Sequence, residues 1–268
     1  MDLQKLETEL KLRGFSQRTV ESYTYWNKKF LEFCNKNEQD VTEDDIKKFM
    51  AEKLSNVSPK TVILIKAALK FYYDEVLKKN IVNMKTPKTA RSLPTVLTRD
   101  EVKKMLESVK NQKHKLIISL LYSSGLRLSE LINLKVGDLE FGEKIGWVRS
   151  GKGNKDRMFL LSEKMIPDLK NHLRGMKNDD YIFQGWEGRI SARAVQKVIS
   201  VVAKKAGIEK NVHVHTLRHS FATHLLESGE DIRKIQELLG HTNLNTTQLY
   251  THLTTEQLKK VKNPLDSL

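Results

Sequence analysis

Arg218 follows His215 by three residues, and Tyr250 stands nine residues beyond His241. Residue types in this order can hold a phosphate and attack it. Between His213 and His252 the chain places six of its eight histidines, in HVHTLRHSFATHLLESGEDIRKIQELLGHTNLNTTQLYTH. Moving a phosphodiester builds negative charge on its non-bridging oxygens, and fixed cations or donors must stand where that charge develops. Arginine suits this work because its planar fork reaches two oxygens and stays charged. Arg218 opens a helical stretch that is otherwise apolar (Leu217, Phe221, Ala222, Leu225, Leu226). There it is either paired with a carboxylate or waiting for an anion.

A second arginine, Arg127, lies in SSGLRLSEL among Leu126, Leu128, Leu131 and Leu134. Glu130, three residues on, makes a local ion pair or orients Arg127 while its other donors face a ligand. Lys152 sits between glycines in SGKGNK, where it is a solvated turn residue or an ammonium that a turn delivers to a bound phosphate. Metal ligation by the histidines fits less well. His215 and His219 share a helix face, but Thr216 stands where a zinc-protease helix needs a glutamate, and no segment rich in carboxylates or cysteines accompanies them. No metal and no cofactor are expected.

The elements that position these residues are mostly helical. In residues 1–80, Leu3, Leu6 and Leu10 recur at helical spacing. Ser16 caps a helix carrying Val20, Tyr23, Phe30 and Phe33. Thr42 with Asp45 opens another, carrying Ile46, Phe49, Met50 and Leu54, and Ser58-Pro59 starts a fourth, carrying Val62, Ile65, Leu69, Tyr72 and Val76. Residues 81–97 lose this periodicity and contain Pro87 and Pro94, which reads as a basic linker. Thr98 to Glu101 is a capping box that begins a second domain, residues 98–268. Helices are expected there at about 98–110, 113–123, 128–134, 163–174, 191–206, 215–227, 231–239 and 243–249, with a further amphipathic helix in the tail. IGWVRS and DRMFLL flank the glycine-rich turn as a β-hairpin. The expected fold is mainly α with a small β-hairpin or sheet: an α+β domain joined to an N-terminal helical bundle as a two-domain clamp.

Composition narrows the partners. Hydrophobic content of 39% and charge content of 30% describe a folded, soluble chain. The net charge of +14 favours a polyanion, above all nucleic acid. Residues 1–88 carry a net +4 and the remainder +10, so both halves can face one polyanion. The single cysteine, Cys34, forms no internal disulfide. No stretch approaches a membrane span and no secretory run opens the chain, so a cytoplasmic protein is expected.

Taken in order, GLRLSEL, a lysine in a hairpin turn, HTLRHSFATHLL, LLGH and a tyrosine followed by Thr-His resemble the tyrosine recombinase (integrase) family. Within it the chain looks most like the Xer-type site-specific recombinases of bacteria and archaea. The resemblance covers the whole chain: residues 1–80 look like the family's helical core-binding domain and 98–268 like its catalytic domain. It implies a catalytic set of Arg127, Lys152, His215, Arg218, His241 and Tyr250, with Glu130 in support. By resemblance, Tyr250 is the nucleophile that attacks a DNA phosphodiester and forms a 3′-phosphotyrosine. The two arginines clamp the phosphate, Lys152 protonates the departing 5′-oxygen, and His215 and His241 serve proton transfer and hydrogen bonding. His213, His219, His224 and His252 are expected to be structural or peripheral. The implied partners are double-stranded DNA carrying a specific site and further copies of the chain, as a tetramer. DNA-reading candidates lie on Ser58–Lys70 and Ser191–Lys205. The tail stripe Leu258, Val261 and Leu265 docks either on a neighbouring protomer or on its own domain. A topoisomerase of type IB, a mobile-element integrase and a DNA-binding protein without catalysis are the alternatives.

Overall fold

Hydroxyl and carboxylate caps set where most of the helices begin. The computed structural model describes residues 3–85, 94–149, 156–186, 188–240 and 261–268. The chain divides into two units, Met1–Ser92 and Leu93–Leu268. In the first, α1 spans Gln4–Leu12 and α2 Gln17–Cys34, the latter capped by the Ser16 side chain. A capping box between Thr42 and Asp45 starts α3 (Glu43–Asn56), and Ser58 with Pro59 starts α4 (Pro59–Lys70). The helical path of α4 continues through a wider π-type turn over Phe71–Val76. Burying Leu6, Leu10, Phe30, Ile46, Phe49, Ile65, Leu69, Tyr72 and Tyr73 together forms this unit's core.

Two residues of the expected apolar stripes stay at the surface. Phe33 is 43% exposed and Leu54 50% exposed, because each lies at the margin of its helix's buried face. Packing also runs past the helices. Val82 is buried in the first core, with its N–H bonded to Asp74 at 3.2 Å.

The second unit begins its helices with α5 (Arg99–Ser108), started by the Thr98–Glu101 capping box. α6 (Gln112–Ser124) is buried on almost every side, so it carries serines and leucines rather than an amphipathic pattern. α7 is Leu128–Asn133, α8 Ile166–His172, α9 Ala192–Lys205, α10 Val214–Glu227 and α11 Ile232–Leu239. The expected hairpin is the core of a three-stranded antiparallel sheet. Strand β1 (Leu139–Glu140) pairs with β2 (Ile145–Val148), and β2 with β3 (Arg157–Leu160), with Ile145 opposite Leu160 and Val148 opposite Arg157. A short ribbon, β4 (Gln184–Gly185) with β5 (Gly188–Arg189), escapes periodicity analysis because two-residue strands have no period.

Two apolar clusters fill this unit. The larger surrounds α6 and includes Leu97, Leu121, Leu131, Phe159, Phe183, Ile199 and Leu217. The smaller joins Ile145, Met158 and Leu160 of the sheet to Phe221 and Leu225 of α10 and to Ile235, Leu238 and Leu239 of α11. That cluster fixes β3, α10 and α11 against one another.

The chain's last residues fold back on their own domain. Val261 and Leu265 are buried, Asn263 Nδ2 donates to the Ser123 carbonyl at 3.0 Å, and the Ser162 hydroxyl donates to the Asp266 carboxylate. Pro264–Ser267 forms a 3-10 turn. Leu258 and the helix expected at 243–249 lie outside the described residues. No helix among the described residues is long and apolar enough to cross a membrane.

Candidate active site

The site begins where α6 stops. Gly125 takes the left-handed conformation, with φ of +56°, and turns the chain so that Arg127 precedes α7. A Cβ there would lie 2.7 Å from Phe221 Cδ1 and 2.8 Å from Leu239 Cδ2, so only glycine allows α6 to end this close to α10 and α11. Glu130, one turn into α7, reaches back. Its Oε2 accepts the Arg127 backbone N–H at 2.7 Å and its Oε1 accepts Arg127 Nη1 at 2.6 Å. This is half of a capping box used to hold an arginine in place.

β3 brings in a third arginine. Arg157 Nη2 donates to Glu130 Oε2 at 2.6 Å, and its Nη1 donates to the Leu238 carbonyl. Sequence reading missed this residue. The signal was present in DRMFLL: strand alternation puts Arg157 on the same face as Phe159, which is fully buried.

α10 supplies Arg218 from its first turns. It is buried, donates through Nη1 to the Gly125 carbonyl, and donates through Nη2 to the Leu239 carbonyl at 2.5 Å. His215 lies one turn earlier on α10 and is exposed, as is His219. Among the described residues no three His, Cys, Asp or Glu side chains converge as a metal would need.

The C-terminus of α11 ties the arginines together. Three successive carbonyls there receive one arginine each: Leu238 from Arg157, Leu239 from Arg218 and Gly240 from Arg127, the last at 3.0 Å. These carbonyls have no partner within the helix and form the negative end of its dipole, so cations settle there. The guanidinium groups are thus brought together from three separate elements.

Charge is not balanced in this cluster. Among the described residues Glu130 hydrogen-bonds Arg127 and Arg157, while Arg218 Nη1 stands 4.0 Å from it. Burial raises the Glu130 carboxyl, but Arg157 and Arg127 outweigh that and hold it below the usual carboxylate range. Burial, joined by the positive charges of Arg127 and Arg157, pulls Arg218 down to about 9 against the partial relief from Glu130. Arg157 is lowered as well, by burial first, with Glu130 opposing. Although its side chain is exposed, His215 is lowered by partial desolvation and then by the positive charges of Arg218, His213 and Arg127, which favours the neutral ring. Among the described residues the cluster therefore carries surplus positive charge.

Of the residues singled out by sequence, Arg127, Glu130 and Arg218 come together here, with His215 on the same helix as Arg218. His224 is buried, its Nδ1 sharing a 2.8 Å hydrogen bond with the Tyr122 hydroxyl. Lys152, His241, Tyr250 and His252 lie outside the described residues. On either side of the segment that contains Lys152, Arg149 and Asp156 are ion-paired at 3.0 Å. Gly240, directly before His241, is part of the arginine cluster.

Known proteins resemble the chain along most of its length. Residues 95–257 match the phage integrase family, and residues 3–83 match the phage integrase N-terminal SAM-like domain. Tyrosine recombinase XerA of Pyrococcus horikoshii is 42% identical over 265 residues, covering 96% of this chain and 91% of that protein. Tyrosine recombinase XerD of Listeria monocytogenes is 34% identical, covering 93% and 92%. Among solved structures, XerH site-specific recombinase bound to its difH substrate in a pre-cleavage complex superposes with a TM-score of 0.73. It is 25% identical, with 91% of this chain and 80% of that chain covered.

Proposed function

The chain belongs to the phage integrase family, as a tyrosine recombinase of the Xer type, and on that premise we propose that its arginine cluster grips the scissile phosphate of a specific DNA site. The observation that carries this reading is the surplus of guanidinium over carboxylate among the described residues of the cluster, where Arg127, Arg157 and Arg218 gather around Glu130. Buried cations without full compensation are costly, and an entering phosphate supplies the missing charge.

In this mechanism Arg127 and Arg218 bind the non-bridging oxygens and stabilise the charge that grows on them. Tyr250 Oη attacks phosphorus, an O–P bond forms, and the bond to the 5′-oxygen breaks. His215, held neutral, accepts a proton from the attacking side. Lys152 gives a proton to the departing 5′-oxygen, and His241 hydrogen-bonds the phosphate. Glu130 orients Arg127. The 3′-phosphotyrosine conserves the energy of the diester it replaced, so a second strand's 5′-hydroxyl reseals the break without ATP or metal.

The first unit acts as a core-binding domain and the second as the catalytic domain, each with its own contacts to the duplex. The exposed faces of α4 (Lys60, Lys70) and α9 (Arg193, Lys197, Lys204) supply phosphate and groove contacts. Four copies act together on paired sites in the cytoplasm. Likeness to Xer-named relatives supports chromosome dimer resolution as the cellular role.

The test is covalent trapping. On a nicked DNA carrying its site, the protein forms an adduct that survives denaturing gels and EDTA. Tyr250→Phe binds the same DNA and forms none. An adduct from the Phe variant, or inhibition by chelation, overturns the mechanism. Relaxation of plasmids that lack the site indicates a topoisomerase instead.

A further inference from the structure

Arg157 has no part in the mechanism above, yet it is the cation most tightly tied to that mechanism's supports. Its Nη2 bonds the same Glu130 oxygen that accepts the Arg127 backbone N–H. Its Nη1 bonds the Leu238 carbonyl, one residue before the carbonyl that holds Arg218 and two before the one that holds Arg127. The side chain is 9% exposed, and its Nε is buried without a hydrogen-bond partner. It is therefore wedged by its surroundings and turned towards protein groups.

The fit around Arg157 is close. Gly240 adopts φ of +61°, and a Cβ there would lie 2.5 Å from Arg157 Cδ and 3.8 Å from Arg127 Nη1. Glycine at 240 thus lets the end of α11 lie against both arginines. Arg157 also opens β3, five residues after Lys152 in the sequence, and Gly240 directly precedes His241.

We propose that Arg157 is a positioning residue. It bridges Glu130 to the C-terminal turn of α11 and so sets the place of Arg127 and of the backbone leading to His241, without itself touching the phosphate. The inference rests on the phosphate-gripping role of the cluster and deepens it. One guanidinium spans two supports: the carboxylate that orients one phosphate ligand, and the helix end that orients both. Lysine cannot span them, because its ammonium is a single point.

Five proteins test this: wild type, Arg157→Met, Arg157→Lys, Glu130→Gln and the double variant Glu130→Gln/Arg157→Met. Measured on a nicked site-bearing DNA are single-turnover adduct formation at saturating DNA, its pH profile, and DNA affinity. Melting temperature and the affinity for orthovanadate alone, as a phosphate probe, are measured in parallel. Arg157→Met is expected to slow adduct formation on the order of 10- to 100-fold, as loss of a support for a functional group does. DNA affinity should stay within about two-fold, because contacts along the rest of the duplex remain. Arg157→Lys should recover little of the rate. In the Glu130→Gln background the same change should cost far less, since the bridge is already broken.

A full, multiplicative loss in that background means Arg157 touches the phosphate directly and overturns the proposal. So does an unchanged rate and unchanged vanadate affinity in Arg157→Met. A rate loss that merely tracks melting temperature and disappears on cooling assigns Arg157 to stability alone, and also overturns it. If the wild type forms no adduct, the catalytic reading fails, while reduced vanadate binding by Arg157→Met still reports whether Arg157 sets the clamp.

Discussion

Arg218 Nη1 lies 4.0 Å from Glu130 Oε2, beyond hydrogen-bond reach, so this buried cation leans on carbonyls rather than on a carboxylate. The Gly125 and Leu239 carbonyls orient its fork but do not neutralise it. Arg218→Lys keeps a charge and loses the geometry, because an ammonium cannot bond both carbonyls and still face an anion. Adduct formation should fall on the order of 100- to 1,000-fold, the usual cost of removing one donor to a developing anion. Single-turnover cleavage at saturating DNA checks this, and near-normal cleavage would show that Arg218 is structural.

Glu130 is the opposite case, one buried carboxylate facing three guanidinium groups. Glu130→Gln leaves the arginines uncompensated, and stability should drop by about 3–5 kcal/mol, as when one partner of a buried ion pair is removed. The pH dependence follows from its lowered folded pKa. The stabilisation is complete above the ordinary carboxylate value of 4.5 and is lost as pH falls through the lower folded value. Urea denaturation of both proteins between pH 7 and pH 3 should show the variant less stable at pH 7 and the gap closing at acid pH. A constant gap would mean that Glu130 acts by shape and not by charge.

Much of this site was legible before any coordinates. Arg127 and Arg218 stood out because a charge inside a leucine run must have a reason. The Thr42–Asp45 and Thr98–Glu101 capping boxes marked helix starts because their spacing is local. What escaped depends on distance along the chain. Arg157 meets Glu130 across 27 residues and Leu238 across 81, and no local period records such pairings. The three carbonyls ending α11 escaped because backbone acceptors carry no residue type. The tail stripe was legible, but not which of the two surfaces it packs on, because its contacts with Ser123 and Ser162 span more than 100 residues.

His224 gives the second unit an acid-sensitive seam. Its ring is buried against Tyr122 and held neutral by burial first and by Arg99 second, which lowers its pKa from 6.5. A histidine with a lowered folded pKa takes up its proton more readily when unfolded. The stability it contributes is therefore present above pH 6.5 and lost as pH falls through the folded value. His215 and His219 are lowered too and act in the same direction. Melting temperature should fall between pH 7.5 and pH 5, and His224→Gln should flatten part of that slope. An identical slope in the variant would place the acid sensitivity elsewhere.

Gly125 connects stability to catalysis through one missing methyl group. It combines a left-handed φ with approaches of 2.7 Å to Phe221 and 2.8 Å to Leu239 at the position a Cβ would fill. Gly125→Ala must strain the backbone and push apart α10 and α11, at a cost of about 1–3 kcal/mol for overpacking a closed core. The carbonyl of the same residue holds Arg218, so the displacement reaches the clamp. Stability in urea should fall, and the cleavage rate at saturating DNA should fall with it even at temperatures where the variant is fully folded. Gly175→Ala is the control, since it has positive φ but nothing within 4 Å of the added methyl group. It should lose some stability from backbone strain alone and cleave at the wild-type rate. Equal cleavage defects in the two variants would mean that the Gly125 carbonyl does not position Arg218.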